Sequence, residues 1–341
     1  MRVRAESGLV CAGVLLASVV AVSGEDYKVL QRSKLGGEGG WDYLKVDADA
    51  RRLYITRGTH VMVVNADSLA IEADLPDTPG VHGVAIAGDL RRGFTSNGRE
   101  NTVTIFELGT LKVIGHVKTG TNPDGILYDP FTHRVFAFNG RSGDATVIDA
   151  KGGTAVGTIP IGGKLEFGVS DGAGRIFVNV EDKSELVALD ARAMKVTARW
   201  PLAPCEDPSG LAMDVTHRRL FSVCGNKLMM VVDADKGRVV SSLPIGGNPD
   251  AAGFDADRQL AFSSNGEGTL TVIHEVSPDK FEVVQNVDTK RSARTMALDT
   301  KTHNVFLVAA DFGAAPPATP EQPRPRPAML PDSFTLLVVG R

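Results

Sequence analysis

Hydrophobic residues in this chain gather into short runs separated by polar turns rich in Asp, Asn, Gly and Thr, and the order repeats. Seven apolar segments, spaced by roughly forty residues, end in an aspartate or a substitute: Asp47, Ala87, Asp129, Asp171, Asp214, Asp255 and Asp299. Most are followed by a polar turn, an apolar strand such as Arg134 to Phe138, and a break with Asn and Gly. Two more strands then follow, such as Thr146 to Asp149 and Thr154 to Ile161. Four short strands per repeat predict a propeller blade, and seven blades predict a closed all-β ring around a central channel. The expected fold is a seven-bladed β-propeller with almost no helix.

The chain ends predict how the ring closes. Tyr27 to Gln31 has the pattern of an outer strand, and Phe334 to Val339 that of a third strand with no fourth behind it. The N-terminal strand is therefore expected to complete the last blade, which removes two open sheet edges.

Because strands alternate in direction, connections between blades share a face with those between the second and third strands. The other face carries the near-copies Asp129 to Arg134, Asp214 to Arg218 and Asp299 to Asn304, each with Asp opening a tight turn. His133, His217 and His303 read as recurring in one slot of that turn, a structural pattern. The first face is irregular, with Asn122-Pro-Asp-Gly125, Gly247-Asn-Pro-Asp250, Asn97 to Glu100 and Asn139 to Ser142. It also carries a proline-rich insertion from Ala310 to Asp332, long for a blade loop and stiffened by its prolines.

The first residues stand outside the repeat. Arg2 and Arg4 precede an apolar run from Leu9 to Val22, and Ala21 and Ser23 place small residues before Gly24. This predicts a signal peptide over residues 1–23, a single propeller domain over 24–341, and a periplasmic or secreted protein. Cys11 lies inside the apolar run, which argues against a lipid anchor, and no later segment is long enough to span a bilayer. Export leaves Cys205 and Cys224 as a pair, placed in the fifth blade where a disulfide is expected. The formal net charge of −4 and the few aromatics supply no basic groove or stacking platform for nucleic acid.

The strands Leu53 to Gly58, Val135 to Gly140 and Ile176 to Val180 resemble degenerate YVTN-type repeats. Pieces such as Ile159 to Gly162, Leu243 to Gly246 and the two Asn-Pro-Asp loops strengthen the match. The chain is similar over residues 27–341 to the YncE-like seven-bladed propellers of exported bacterial proteins. That resemblance implies a binding or surface protein without an established catalytic centre, and leaves DNA binding as a family-level possibility.

Five residues before each repeat's terminal position stand Asp42, His82, Asp124, Glu166, Ser209, Asp250 and Arg294. Equivalent positions around a propeller axis converge on one opening, so these seven are the expected ligand-binding rim of the channel mouth. Asp42, His82, Asp124, Glu166 and Asp250 offer oxygen and nitrogen donors to a divalent metal. Gathered carboxylates also raise one another's pKa. Asn97, Asn139 and Asn265 are expected as an outer polar ring. Asp124 and Asp250 equally suit a purely local role, bonding the backbone of their own Asn-Pro-Asp turns.

No GxSxG elbow, phosphate-binding loop, HExxH, zinc-spaced Cys/His set or haem attachment site is present. The leading reading is a monomeric, non-enzymatic binding or interaction scaffold, with a small polar molecule, peptide or protein as partner on the irregular face. The alternatives are a metal-dependent hydrolase or lactonase at the rim and, third, nucleic-acid binding. Arg324 and Arg326 of the insertion are placed to reach the rim carboxylates.

Overall fold

The computed structural model describes residues 26–37, 39–319 and 325–341, so the expected signal peptide lies outside the described residues. Seven four-stranded antiparallel sheets form the blades of a propeller. Two short 3-10 turns, Gly88–Leu90 and Glu181–Lys183, are the only helical elements among the described residues. No helix among them is long and apolar enough to cross a membrane.

The strands a to d run outward from the channel, and burial explains their composition. In blade 3 the second strand, Arg134–Asn139, is buried on both faces, so it reads as a continuous apolar run. The outer strand, Thr154–Pro160, is largely exposed and carries polar and small residues. Core side chains collect between blades: the hydrophobic clusters combine neighbours, such as Phe136 and Phe138 of blade 3 with Val178 and Val187 of blade 4, and the cluster of blades 6 and 7 also takes in Tyr43 of blade 1. A single blade buries its faces only against its neighbours, which is why the ring must close.

Closure follows the sequence expectation. Lys28–Lys34 pairs antiparallel with Thr335–Gly340 and supplies the outer strand of blade 7. It extends slightly beyond the expected segment. Cys205 and Cys224 form a disulfide with a Cα separation of 5.4 Å, tying the loop before blade 5 to the end of its second strand.

On the face of the tight turns, the histidine pattern needs correction. His133 and His303 occupy left-handed positions with φ of 52° and 60°, but in the blade 5 turn that position belongs to Arg218, at 59°. The turn has the same length, from Asp214 to Arg219 as from Asp129 to Arg134, but His217 occupies the position before the left-handed one. The remaining turns conform: His133 lies 3.1 Å from Asp89, which replaces the aspartate missing at Ala87, and His303 lies 2.8 Å from Asp255.

Candidate functional site at the channel mouth

Each rim residue begins or precedes an inner strand, and hydrogen bonds from neighbouring blades fix its backbone. Tyr43 N donates to His82 O at 3.1 Å, and Ser96 Oγ donates to Asp124 O. Asn179 Nδ2 donates to Ser209 O at 2.9 Å, Ser264 Oγ to Arg294 O at 2.6 Å, and Thr295 Oγ1 to Asp42 O at 2.8 Å. Space for this approach requires small residues. A Cβ at Gly125 would lie 2.5 Å from Glu166 O, and one at Gly210 would lie 2.6 Å from Ala251 Cα. In blades 1 and 4 the same position carries Tyr43 and Phe167, whose rings meet across the axis at 4.9 Å. They floor the mouth above a channel cavity of about 400 Å³, lined further by Lys45, Tyr128 and Asp171.

The structure joins most of the rim residues expected from sequence. His82 Nδ1 lies 2.6 Å from Asp42 Oδ2 and 3.7 Å from Asp124 Oδ1. Arg294 pairs with Asp250, lies 3.4 Å from Asp42 and donates to Trp41 O at 3.0 Å. Asp42, His82 and Asp124 present donor atoms within 4.8 Å of one another, a grouping that could hold a metal ion. Glu166 and Asp250 stand outside that set. Glu166 turns to Lys164, at 2.9 Å, and Lys164 also binds Glu181. Ser209 Oγ donates to Pro249 O at 3.3 Å and serves the seam between blades.

The electrostatics leave acid in excess. Burial pushes Asp124 up to about 6, with Asp42 and Glu181 adding to the rise while His82 and Lys164 oppose it. Asp250 rises to about 7, again through burial and the charges of Asp42 and Asp124, against the pull of Arg294. Glu166 rises to about 10 by burial and its contact with Glu181. Glu181 moves the opposite way: burial resists ionisation, but bonds from Glu166 and Lys164 outweigh it and lower its pKa. Burial opposes a charge on His82, yet the hydrogen bond to Asp42 and the charge of Asp124 prevail and raise its pKa. The Tyr43 hydroxyl below is raised by burial and by the four carboxylates above it.

Two expectations fail. Asn97, Asn139 and Asn265 are fully buried and bond side chains inside their own blades, to Thr102 and Thr104, Asp144 and Thr146, and Thr269 and Thr271. They brace the second strands and form no outer ring open to a ligand. The insertion does lie on the mouth face, but Arg326 makes no ion pair with a rim carboxylate among the described residues; Arg324 lies outside them. Instead Arg326 and Arg294 both line a cavity of about 520 Å³, with Trp41, Phe312, Pro327 and Met329 as its apolar wall. The base of the insertion is zipped by Gly313 N to Ala328 O at 2.9 Å and Leu330 N to Asp311 O at 2.8 Å, and Phe312 packs on Trp41 at 6.0 Å.

Lys164 and Glu181 were not among the sequence candidates. A signal was present: Glu181 follows the second strand of blade 4 at the place where Gly98, Gly140, Gly225 and Gly266 follow theirs.

No protein-family model matches the chain, and no curated protein matches it by sequence. Solved structures match in fold. Kuenenia stuttgartiensis hydrazine synthase aligns with a TM-score of 0.69 at 13% identity, over 81% of this chain and 94% of that one. A chain of a mitotic checkpoint complex gives 0.75 at 12%, over 100% and 99%. U3-55K gives 0.73 at 10%, over 92% and 98%. At such identities the likeness establishes the propeller fold alone.

Proposed function

We propose that this protein is an exported, monomeric binding protein that captures a cationic group at the channel mouth. The observation that carries the reading is the acid excess: Asp42, Asp124 and Asp250 share His82 and Arg294 as their direct ion-pair partners, and two of the three are held well above the ordinary carboxylate range. Burial raises these carboxylates first and their neighbours' negative charges add to the rise, so a further positive charge at the mouth would favour their ionisation. An ammonium or guanidinium from a small molecule, or from a Lys or Arg of a peptide or protein partner, would supply it. The adjoining cavity, with Trp41 and Phe312, suits an apolar portion of the same ligand. The resemblance to YncE-like proteins agrees with export and with a non-catalytic role.

Calorimetric titration with polyamines and Lys-containing peptides tests this. Binding that is lost in the Asp124→Asn/Asp250→Asn double variant supports the proposal; binding equal in both proteins refutes it. The acidic mouth repels phosphate, which weighs against nucleic acid.

A second reading, a metal-dependent hydrolase or lactonase, draws on the grouping of Asp42, His82 and Asp124. There a metal would polarise a substrate oxygen or activate water. Metal analysis of wild type against Asp42→Asn separates the two readings.

A further inference from the structure

On the face opposite the mouth, a recurring ion pair ties adjacent blades. The aspartate ending an inner strand accepts a side chain from the left-handed position of the next blade's turn. Arg51 meets Asp299 at 2.8 Å, Arg218 meets Asp171 at 2.9 Å and His303 meets Asp255 at 2.8 Å. Other seams differ: blade 4 has Gly174 in that position and Asp129 accepts the hydroxyls of Thr132 and Ser170 instead, while the seam between blades 5 and 6 departs in another way. Its left-handed residue is Gln259, with φ of 52°, which brings no charge to Asp214. Blade 6 instead sends a second acid, Glu275, from the end of its third strand, Thr269–Ser277.

Asp214 and Glu275 are each 1% exposed. His217, displaced from the usual turn position, stands between them, with Nδ1 2.7 Å from Asp214 Oδ2 and 3.0 Å from Glu275 Oε1. Those distances are short, but the ring nitrogen is not aligned to hydrogen-bond either oxygen, and neither Glu275 oxygen has a hydrogen-bond partner. Neighbouring Arg219 is engaged elsewhere, donating to Pro278 O at 2.6 Å and to Asp279 at 3.1 Å. Two buried carboxylates thus share one imidazole without an aligned hydrogen bond to Glu275, and incompletely paired buried charge costs roughly several kcal/mol, which is why such groups are normally paired or bound to metal.

We propose that Asp214, His217 and Glu275 form a binding site for a divalent first-row transition ion, with Zn²⁺ the best match. One imidazole nitrogen and two carboxylate oxygens make a three-residue zinc set, with a further position left for water. The three donor atoms lie within 4.8 Å of one another. Ligands bound at about 2.1 Å stand about 3 to 3.4 Å apart around an ion, close to the separations around His217 Nδ1. The comparable group of Asp255, Asp257 and His303 differs, because there His303 is already hydrogen-bonded to Asp255. The ion would replace the missing cation at this seam, taking two ligands from blade 5 and one from blade 6. Partly exposed His217 marks its way in. This site is independent of the mouth and of any ligand bound there.

The test is zinc uptake by the EDTA-stripped mature protein, read by elemental analysis after equilibration with Zn²⁺ alone, and by thermal unfolding. Wild type should retain an ion and melt higher with it. Glu275→Gln and His217→Ala should each weaken that ion by roughly tenfold or more and lose the thermal gain, whereas Asp42→Asn keeps both. Metal-free Glu275→Gln should melt no lower than metal-free wild type, since a neutral amide replaces a buried charge, so its loss of zinc is not a loss of fold. The proposal is overturned if wild type takes up no ion, if the two variants take up as much as wild type, or if the loss occurs only in Asp42→Asn.

Discussion

Asp42 is held by both cations of the rim: His82 Nδ1 lies 2.6 Å away on one side and Arg294 Nη1 3.4 Å away on the other. Arg294 also pairs with Asp250 and His82 also faces Asp124, so the three aspartates divide these two cations. Burial and mutual repulsion then raise Asp124 and Asp250, whose ionisation sets how well a cation is held under the proposed reading. Asp124 titrates near 6 and Asp250 near 7. Cation affinity should rise from pH 5 to pH 8 as each proton leaves. Below its pKa, a required carboxylate weakens binding by about tenfold per pH unit. The Asp124→Asn/Asp250→Asn variant should show a flat profile in the same calorimetric titration.

Without ligand, the same groups act in the opposite sense on stability. Their folded pKa values lie above the unfolded value, so the folded state binds more protons and stability falls as pH rises. The penalty is absent below about pH 4, grows between the unfolded and folded pKa values, and is complete above pH 7 to 8. At pH 8 the double Asn variant should melt higher than wild type, with about 1.5 °C for each kcal/mol recovered in a chain of this size. At pH 4 the two should coincide. Thermal scans at the two pH values check the sign.

The disulfide closes a short loop, with the cysteines 19 residues apart. Constraint of the unfolded chain gives such a bridge about 3 kcal/mol. Cys205→Ser/Cys224→Ser should lower the denaturant midpoint correspondingly while leaving cation binding intact, since neither cysteine touches the rim carboxylates.

At Gly125 blade 3 approaches the next blade closely at the rim, and a Cβ there would meet backbone rather than a movable side chain. Gly125→Ala should destabilise the ring by about 1–3 kcal/mol and displace Asp124, reducing cation affinity with it. Urea unfolding and titration of the variant measure both effects.

These sites differ in how far the sequence exposes them. The ring was legible because each blade repeats one solution: the doubly buried second strands, such as Arg134–Asn139, can only be apolar, and the turn aspartates recur at one offset. That offset also located the rim, since ring symmetry turns a sequence position into a place near the axis. What symmetry could not supply was side-chain direction. Asn139 shares a blade and a face with Asp124, yet turns inward to Asp144 and Thr146. Features that break the repeat were hidden as well. Glu181 stands in a glycine position and His217 is shifted by one residue, so each becomes meaningful only beside partners distant in sequence, Glu166 and Glu275.

The insertion of blade 7 gives the most selective prediction. Its base is fixed by the bridge between Phe312 and Met329 and by Phe312 against Trp41, and it carries Arg326 to the cavity that Arg294 also lines. It therefore brings two opposing properties to the mouth: a positive charge that disfavours a cation, and an apolar wall that favours a ligand's hydrocarbon part. Replacing residues 314–327 by a short Gly-Ser link keeps Phe312 and Met329 and leaves every blade strand in place, so the melting temperature should change little. Removal of Arg326 should then strengthen binding of a small aliphatic amine several-fold, by loss of about 1 kcal/mol of repulsion at a partly solvated distance. Loss of Pro327 should weaken binding of an aromatic amine in the same protein, because part of the wall is gone. Opposite shifts for the two amines, measured by calorimetry on one variant, would show that the insertion selects ligands; equal shifts, or none, would show that it takes no part in the site.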